Sequence, residues 1–287
     1  MEANQENVLT GTCGENLTWF FNQEDRILTI EGSGEIESYE EDPAPWSIYA
    51  IHEVVLSKGL LSIGNSAFSG CHDLTFIEIP DSVTSIGSNA FSDCWNLCSV
   101  IIPDSVISIG SHAFSDCRDL ESIRLSNNIK NIDNSAFMGC NSLEFIEIPN
   151  SVNSIGSSAF YSCSYLRFIE IPHNVTSIEE STFCACLKLN SVEIPNSVTT
   201  IKKEAFAWCE RLKVIEIPNS VTDLNEGAFS YCKELESITS KAVIPPTLGK
   251  DVFKGVDETI PVYVPKESVD AYKNADGWKE FANIQAQ

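Results

Sequence analysis

The sequence predicts a capped repeat solenoid, an α/β repeat with a parallel β-sheet along one face, and three observations carry that prediction. Phe recurs every 23 residues from Phe68 to Phe229, and Cys follows three positions later from Cys71 to Cys232. Leu74, Leu97 and Leu120, with Ile77, Val100 and Ile123, keep the same step. Each unit also carries a run L-x-x-I-x-I in which apolar residues alternate. Such a unit is too small to bury its apolar face alone, so consecutive copies must stack and share one interior.

Within a unit, the alternating run predicts a short strand with one buried face. Proline follows that strand in six of seven units (Pro80, Pro103, Pro149, Pro172, Pro195, Pro218), and only Ser126 departs. A missing N–H at that point ends the pairing and turns the chain. The small residue before Phe (Ala67, Ala90, Ala113, with Thr182 the exception) and the Cys after it have helix-like spacing. That spacing predicts a short helical turn presenting Ala, Phe and Cys inward. One rung is then strand, corner, return segment and helical turn.

The ends of such a stack need atypical units, because an open parallel edge exposes unpaired backbone groups. Ile51, Val54, Leu56, Leu60 and Ile63 fit the register one step before Leu74, which starts the stack near residue 51. Leu17 to Ile30 reads as a β-hairpin, followed by a loop with Pro43, Pro45 and Trp46. At the far end Pro245 and Pro246 interrupt the register, and Phe253 comes 24 residues after Phe229. The segment PVYVPKESV (Pro261 to Val269) echoes the strand-corner pattern and predicts a last strand. Ser268 to Phe281 is helix-like, with Val269, Tyr272 and Trp278, and is interrupted by Gly277. The expected organisation is an N-terminal β-hairpin cap at 1–50, a solenoid at 51–240 and a C-terminal cap with final strand and helix at 241–287.

The pattern CxxLxxIxIPxSVxxIGxxAFxxC, as in Cys71 to Cys94, resembles the BspA-like leucine-rich repeat family. The resemblance covers about residues 51 to 240, and the GTCGENLTW start and YVPKESVDAYKNADGWKEF end also look like flanking segments of that family. It implies a right-handed leucine-rich-repeat solenoid, and a cell-surface or secreted, extracellular protein of a host-associated microbe. Members of the family adhere to host matrix proteins such as fibronectin and fibrinogen. The resemblance implies no enzyme.

Composition narrows the partners independently. The chain has 287 residues with 18 Lys plus Arg against 41 Asp plus Glu, a formal charge of −23. Phosphate backbones are bound by cationic side chains that release counterions, so this balance excludes a general nucleic-acid binder. Apolar residues make up 43%, enough for a real core. No stretch approaches the ~20 apolar residues that span a bilayer, so no membrane insertion is expected. The opening MEANQENVLT has neither a basic nor an apolar region of the kind an export signal needs.

Chemistry is sparse. Eight of the eleven cysteines share one column. Stacked on rungs roughly 5 Å apart, they project in parallel, whereas a disulfide needs converging Cβ vectors. A packed column of small hydrophobes is the reading this favours over disulfides or metal. Cys94 with Cys98, and Cys184 with Cys186, are closely spaced, but no CxxC pair exists. His52, His72, His112 and His173 occupy different positions within the unit and build no column. No nucleophile-elbow, zinc-protease, phosphate-loop, dinucleotide or EF-hand pattern occurs. Neither a catalytic set, a metal site nor a cofactor is expected, and a carboxylate dyad of the glycosidase kind is a distant third reading. Asn16-Leu17-Thr18 and Asn174-Val175-Thr176 are glycosylation sequons, meaningful only in a glycosylating secretory pathway.

The informative variation lies on the outward strand face. One outward column reads Phe76, Ser99, Ser122, Phe145, Phe168, Ser191, Val214, Ser237, and the next Glu78, Ile101, Arg124, Glu147, Glu170, Glu193, Glu216, Thr239. Four glutamates on successive rungs repel by about 0.8 kcal/mol per neighbouring pair even in water. One reading is a solvated face that resists sheet aggregation. The other is a recognition surface with apolar anchors Phe76, Phe145 and Phe168 beside Glu147, Glu170, Glu193 and Glu216. Divalent cation binding by the carboxylates is a third, without the Asp-rich loop or glycine turn such sites use. The leading expectation is a non-enzymatic module that binds a protein partner, a host extracellular-matrix protein included. The alternative is a structural spacer or scaffold of a surface protein without a high-affinity ligand.

Overall fold

The computed structural model describes residues 7–40 and 42–287. Residues 1–6, part of the segment read for an export signal and of the N-terminal cap, lie outside the described residues. The chain winds into about 11 turns of about 23 residues, with parallel strands stacked turn on turn and few helices. One hydrophobic core runs unbroken from Cys13 to Ile284.

Two sides of the solenoid are parallel ladders. On the first, Phe76–Ile77, Ser99–Ile101 and Ser122–Arg124 pair in the register of the repeat, residue 76 against 99 against 122. Alternation sends Ile77, Val100 and Ile123 into the core. The second side lies in what the sequence reading treats as a plain return segment. There Ser85–Ile86, Ser108–Ile109, Asn131–Ile132 and Ser154–Ile155 form a ladder of two-residue strands. Val83 and Ile86, three apart, are both buried, so the strand is shorter than the window in which period 2 becomes visible.

The third side corrects the sequence reading, because the segment around Phe is not helical. In each of nine rungs the residue two before Phe and the residue two after it have left-handed backbone, as at Ser66 (φ 55°) and Gly70 (φ 73°), or Asn89 (φ 54°) and Asp93 (φ 60°). Left-handed residues break a right-handed helix. Here they turn alternate N–H groups along the solenoid axis. The N–H groups of Ser66, Phe68 and Gly70 donate to the carbonyls of Ser88, Ala90 and Ser92, each at 2.8 Å. The bond from Phe recurs in every rung from Phe68 to Phe229, at 2.8–2.9 Å. Ala, Phe and Cys do face inward as expected, and Ala67, Phe68 and Cys71 are buried.

The Phe rings stack as a column. From Phe68 to Phe253 neighbouring centroids are 5.1–5.7 Å apart, with planes within 3–14° of parallel. Trp46 closes one end. Its ring stacks on Phe68 at 5.8 Å, and its indole N–H donates to the Ala67 carbonyl at 2.9 Å. That carbonyl is the one a preceding rung would have engaged. At the other end Phe253 meets Trp278 and Phe281 at 5.6 and 5.4 Å.

The cysteine column is structural. Each thiol from Cys94 to Cys232 in that column donates to the carbonyl of the Phe one rung back, at 3.2–3.3 Å. All eleven cysteines are free, and only Cys98 is exposed. Burial pushes the column's thiols far up, to about 12 at Cys71 and Cys232.

The caps differ from the rungs by direction. Strands β1 (Val8–Gly14), β2 (Leu17–Asn22) and β3 (Ile27–Glu35) form an antiparallel meander, with β2 and β3 the expected hairpin and β1 an addition to it. β3 then starts both ladders at once. Ile27 to Ile30 pair with Glu53–Leu56, and Ser33 to Glu35 pair with Gly59–Ile63. Gly32 (φ 110°) permits the bend between them, and a Cβ there would collide with the Asn16 carbonyl oxygen. At the C-terminus Pro261–Val264 is the expected strand, followed by a single short helix α1 (Val269–Asn274) and a further parallel strand, Asn283–Ala286. The helix-like stretch thus stops at Asn274, and Trp278–Glu280 forms a separate 3-10 turn after Gly277 (φ 78°).

Two outcomes follow from these columns. Phe137→Ala, in mid-stack, removes two ring contacts and leaves a cavity, and should cost about 3–5 kcal/mol in denaturant unfolding; a loss below about 1 kcal/mol would refute the stack's role. The thiols are neutral in the fold but ionise in the unfolded chain above about pH 8.5. Their raised native values mean that stability is intact below that pH and is lost as pH rises towards the native values, by up to about 1.4 kcal/mol per pH unit per thiol. A denaturation midpoint that stays level between about pH 8.5 and 10 would contradict this, and Cys117→Ala with Cys140→Ala should flatten the decline.

Candidate binding site on the strand face

The outward residues alternate with the buried ones, so the strand face carries two columns of freely variable side chains. The first ladder does not run its full length. Strands pair from Glu53–Leu56 to Ser122–Arg124, resume as Phe168–Glu170 with Ser191–Glu193, and resume again from Val214–Ile217 onward. Residues 145–148 belong to no strand. The gap falls where two phenylalanines, Phe145 and Phe168, adjoin in the outward column, the one place in that column where two large rings meet.

A cleft of about 300 Å³ opens at this gap, lined by Phe145, Glu147, Phe168, Glu170, Pro149 and Asn127 among others. Phe145 is 55% exposed, whereas Phe168 is half-buried in the cleft wall. Glu170 and Glu193 are paired strand neighbours, so two carboxylates stand side by side. Glu216 is held at 2.7 Å by the Lys241 ammonium, which removes it from the free acidic row. The cleft therefore brings together Phe145, Phe168, Glu147 and Glu170, with Glu193 on its border.

Phe76 lies elsewhere. Two serine rungs, Ser99 and Ser122, separate it from Phe145, and it lines a different cleft with Val55, Leu56 and Glu78. Sequence reasoning did not single out Asn127. It follows Ser126, the one departure from the proline column. Ser126 is buried, and its hydroxyl donates to the Val106 carbonyl at 2.6 Å, while the Asn127 backbone N–H donates to Asp104 at 3.0 Å. The bonds from the Asn127 backbone and side chain hold the Asp104 carboxyl below its usual range. The departure from proline was the available signal.

Among the described residues no group of three or more His, Cys, Asp or Glu is placed to hold a metal ion, and no helix is long and apolar enough to cross a membrane. The four histidines occupy different positions of the repeat; His72 stacks on Trp95 at 3.8 Å.

Comparison with known proteins agrees with this architecture. The chain matches the family model described as BspA type leucine rich repeat region, in six copies over residues 47–167 and 130–260. A leucine-rich repeat protein from Bacteroides ovatus is similar over 96% of this chain and 76% of its own, at 26% identity and a TM-score of 0.71. The T. pallidum leucine rich repeat protein is similar over 74% of this chain and 91% of its own, at 27% identity and a TM-score of 0.55. A leucine-rich repeat protein from Eubacterium ventriosum shares the fold at 19% identity and a TM-score of 0.50, over 87% of this chain and 95% of its own. No curated protein matches significantly. A repeat scaffold of this kind serves protein interaction or scaffolding. With matched segments that together span residues 47–260, the chain belongs to the BspA-type leucine-rich repeat family.

Proposed function

We propose that this protein is a non-enzymatic binding module that captures a protein partner at the strand-face cleft, and that it works outside the cell or on its surface, in adhesion to host or matrix proteins. The cleft at the ladder gap carries this reading. Phe145 is more than half exposed beside the half-buried Phe168 in a cleft edged by carboxylates, and a large ring in water has no structural task there. Aromatic anchors in a cleft rimmed by charge are the usual source of interface energy, while the carboxylates steer basic partners and set specificity. Glu147, Glu170 and Glu193 favour a partner with basic or extended segments. Phe76, with its own apolar neighbours, offers a separate contact.

The test is binding of immobilised matrix proteins, fibronectin and fibrinogen first, to the full chain and to the double variant Phe145→Ala/Phe168→Ala. Loss of both anchors should weaken binding by about 30-fold or more, the range of a genuine hot spot, with the thermal midpoint near that of the parent. Unchanged affinity in the double variant would remove the cleft from the interface. Absence of measurable binding to any matrix protein, with strand-face substitutions tolerated throughout, would leave the spacer role instead.

A further inference from the structure

On a chain with 18 cations against 41 carboxylates, one cleft gathers four cations and a single carboxylate. Arg167, Lys188, Arg211 and Lys213, with Asn190 and Glu234, surround a space of about 160 Å³. The repeat places them there. Arg167, Asn190 and Lys213 are equivalent residues of three successive rungs, linked by backbone bonds from Asn190 N–H to Arg167 O at 3.0 Å and from Lys213 N–H to Asn190 O at 3.3 Å. Lys188 and Arg211 are equivalent residues of the last two of those rungs, one column away. Four positive side chains thus converge from three rungs roughly 5 Å apart.

The charges are not all spoken for. Arg167 and Lys213 each reach outward to one carboxylate, Glu144 at 3.3 Å and Glu236 at 2.9 Å, in exposed pairs of the weak kind. Among the described residues, neither Lys188 nor Arg211 has a carboxylate within salt-bridge distance. Lys188 instead lies over the Tyr165 ring, its ammonium 3.2 Å from the centroid, which holds it half-buried at the cleft. The Asn190 side-chain oxygen accepts the Ser191 hydroxyl at 3.1 Å, which leaves its amide N–H groups as donors. Uncompensated like charges on neighbouring rungs repel, and the fold gains nothing from assembling them.

We propose that this cleft is a binding site for a compact tetrahedral oxyanion, a phosphate or sulfate group, held by Arg167, Lys188, Arg211 and Lys213 with the Asn190 amide. The planar guanidinium fork of Arg211 suits two oxygens of such a group, and the ammonium groups supply charge from either side. The size is limited from both ends. Glu144 stands beyond Arg167 and Glu236 beyond Lys213, and Glu234 closes one wall of the cleft itself, so a long polyanion would run onto carboxylates. One doubly charged group fits where a nucleic acid does not. The site uses none of the strand-face anchors and stands apart from the protein-capture reading.

The experiment is calorimetric titration of the full chain with sodium phosphate and sodium sulfate at matched ionic strength, with chloride as reference. Saturable binding of one oxyanion per chain is expected. Lys188→Glu/Arg211→Glu should reduce the affinity by about tenfold or more, from loss of two charge-assisted contacts. Lys266→Glu in the C-terminal cap, outside this cleft, should leave it within about twofold. Two further titrants, glucose 6-phosphate and glucose 6-sulfate, identify the source. Tighter binding of an ester assigns the site to a saccharide-borne group, and equal binding assigns it to the free ion. Phosphate and sulfate binding no better than chloride would overturn the proposal, as would equal losses in the Lys266→Glu and Lys188→Glu/Arg211→Glu variants.

Discussion

The structure depends on one bond repeated along its length, the amide of each column Phe donating to the carbonyl just before the next Phe. It fixes the rung spacing at which aromatic rings pack face to face, and the same spacing sets the thiol of one rung against the Phe carbonyl of the rung before it. Neither parallel ladder is as continuous, since both are interrupted near the middle of the stack. The left-handed residues that aim these amides cost about 1–2 kcal/mol each where they are not glycine. They persist because every rung repeats them and each is held by neighbours on both sides.

Much of this was legible. Two columns at a fixed step give the solenoid, and alternation gives the strand with its buried Ile. The hairpin before Trp46 and the strand at Pro261–Val264 also follow from local patterns. The turn around Phe reads as helical from sequence because Ala, Phe and Cys share an apparent helix spacing. The contrary signal lay in the flanking columns, where Ser66, Asn89 and Ser135, then Gly70, Asp93 and Gly139, supply several residues tolerant of left-handed backbone. The second ladder was hidden by its brevity, since two residues cannot display a period.

The strand-face cleft was legible only in part. Phe145, Phe168 and the glutamates are visible as outward columns, but the ladder gap between them is a tertiary event. Phe76 belongs to the same column and not to the same place, because a column records equivalence and says nothing of which neighbours intervene. The cationic cleft was invisible for a related reason. Its residues come from two columns, each mixed in sign along the chain, and they agree only over rungs near Lys188. A net charge summed over the whole sequence averages such a patch away.

The gap at residues 145–148 has a mechanical consequence. At that level the Phe side keeps its full set of backbone bonds, while the strand side is reduced to the Arg167 N–H bond to the Glu144 carbonyl at 3.1 Å, so the stack is held less tightly there than along the Phe side. It resembles a book held by its spine, whose pages part at one place without any leaf coming loose. Parting those leaves costs one backbone bond and the side-chain contacts around it, where elsewhere it would cost a paired strand.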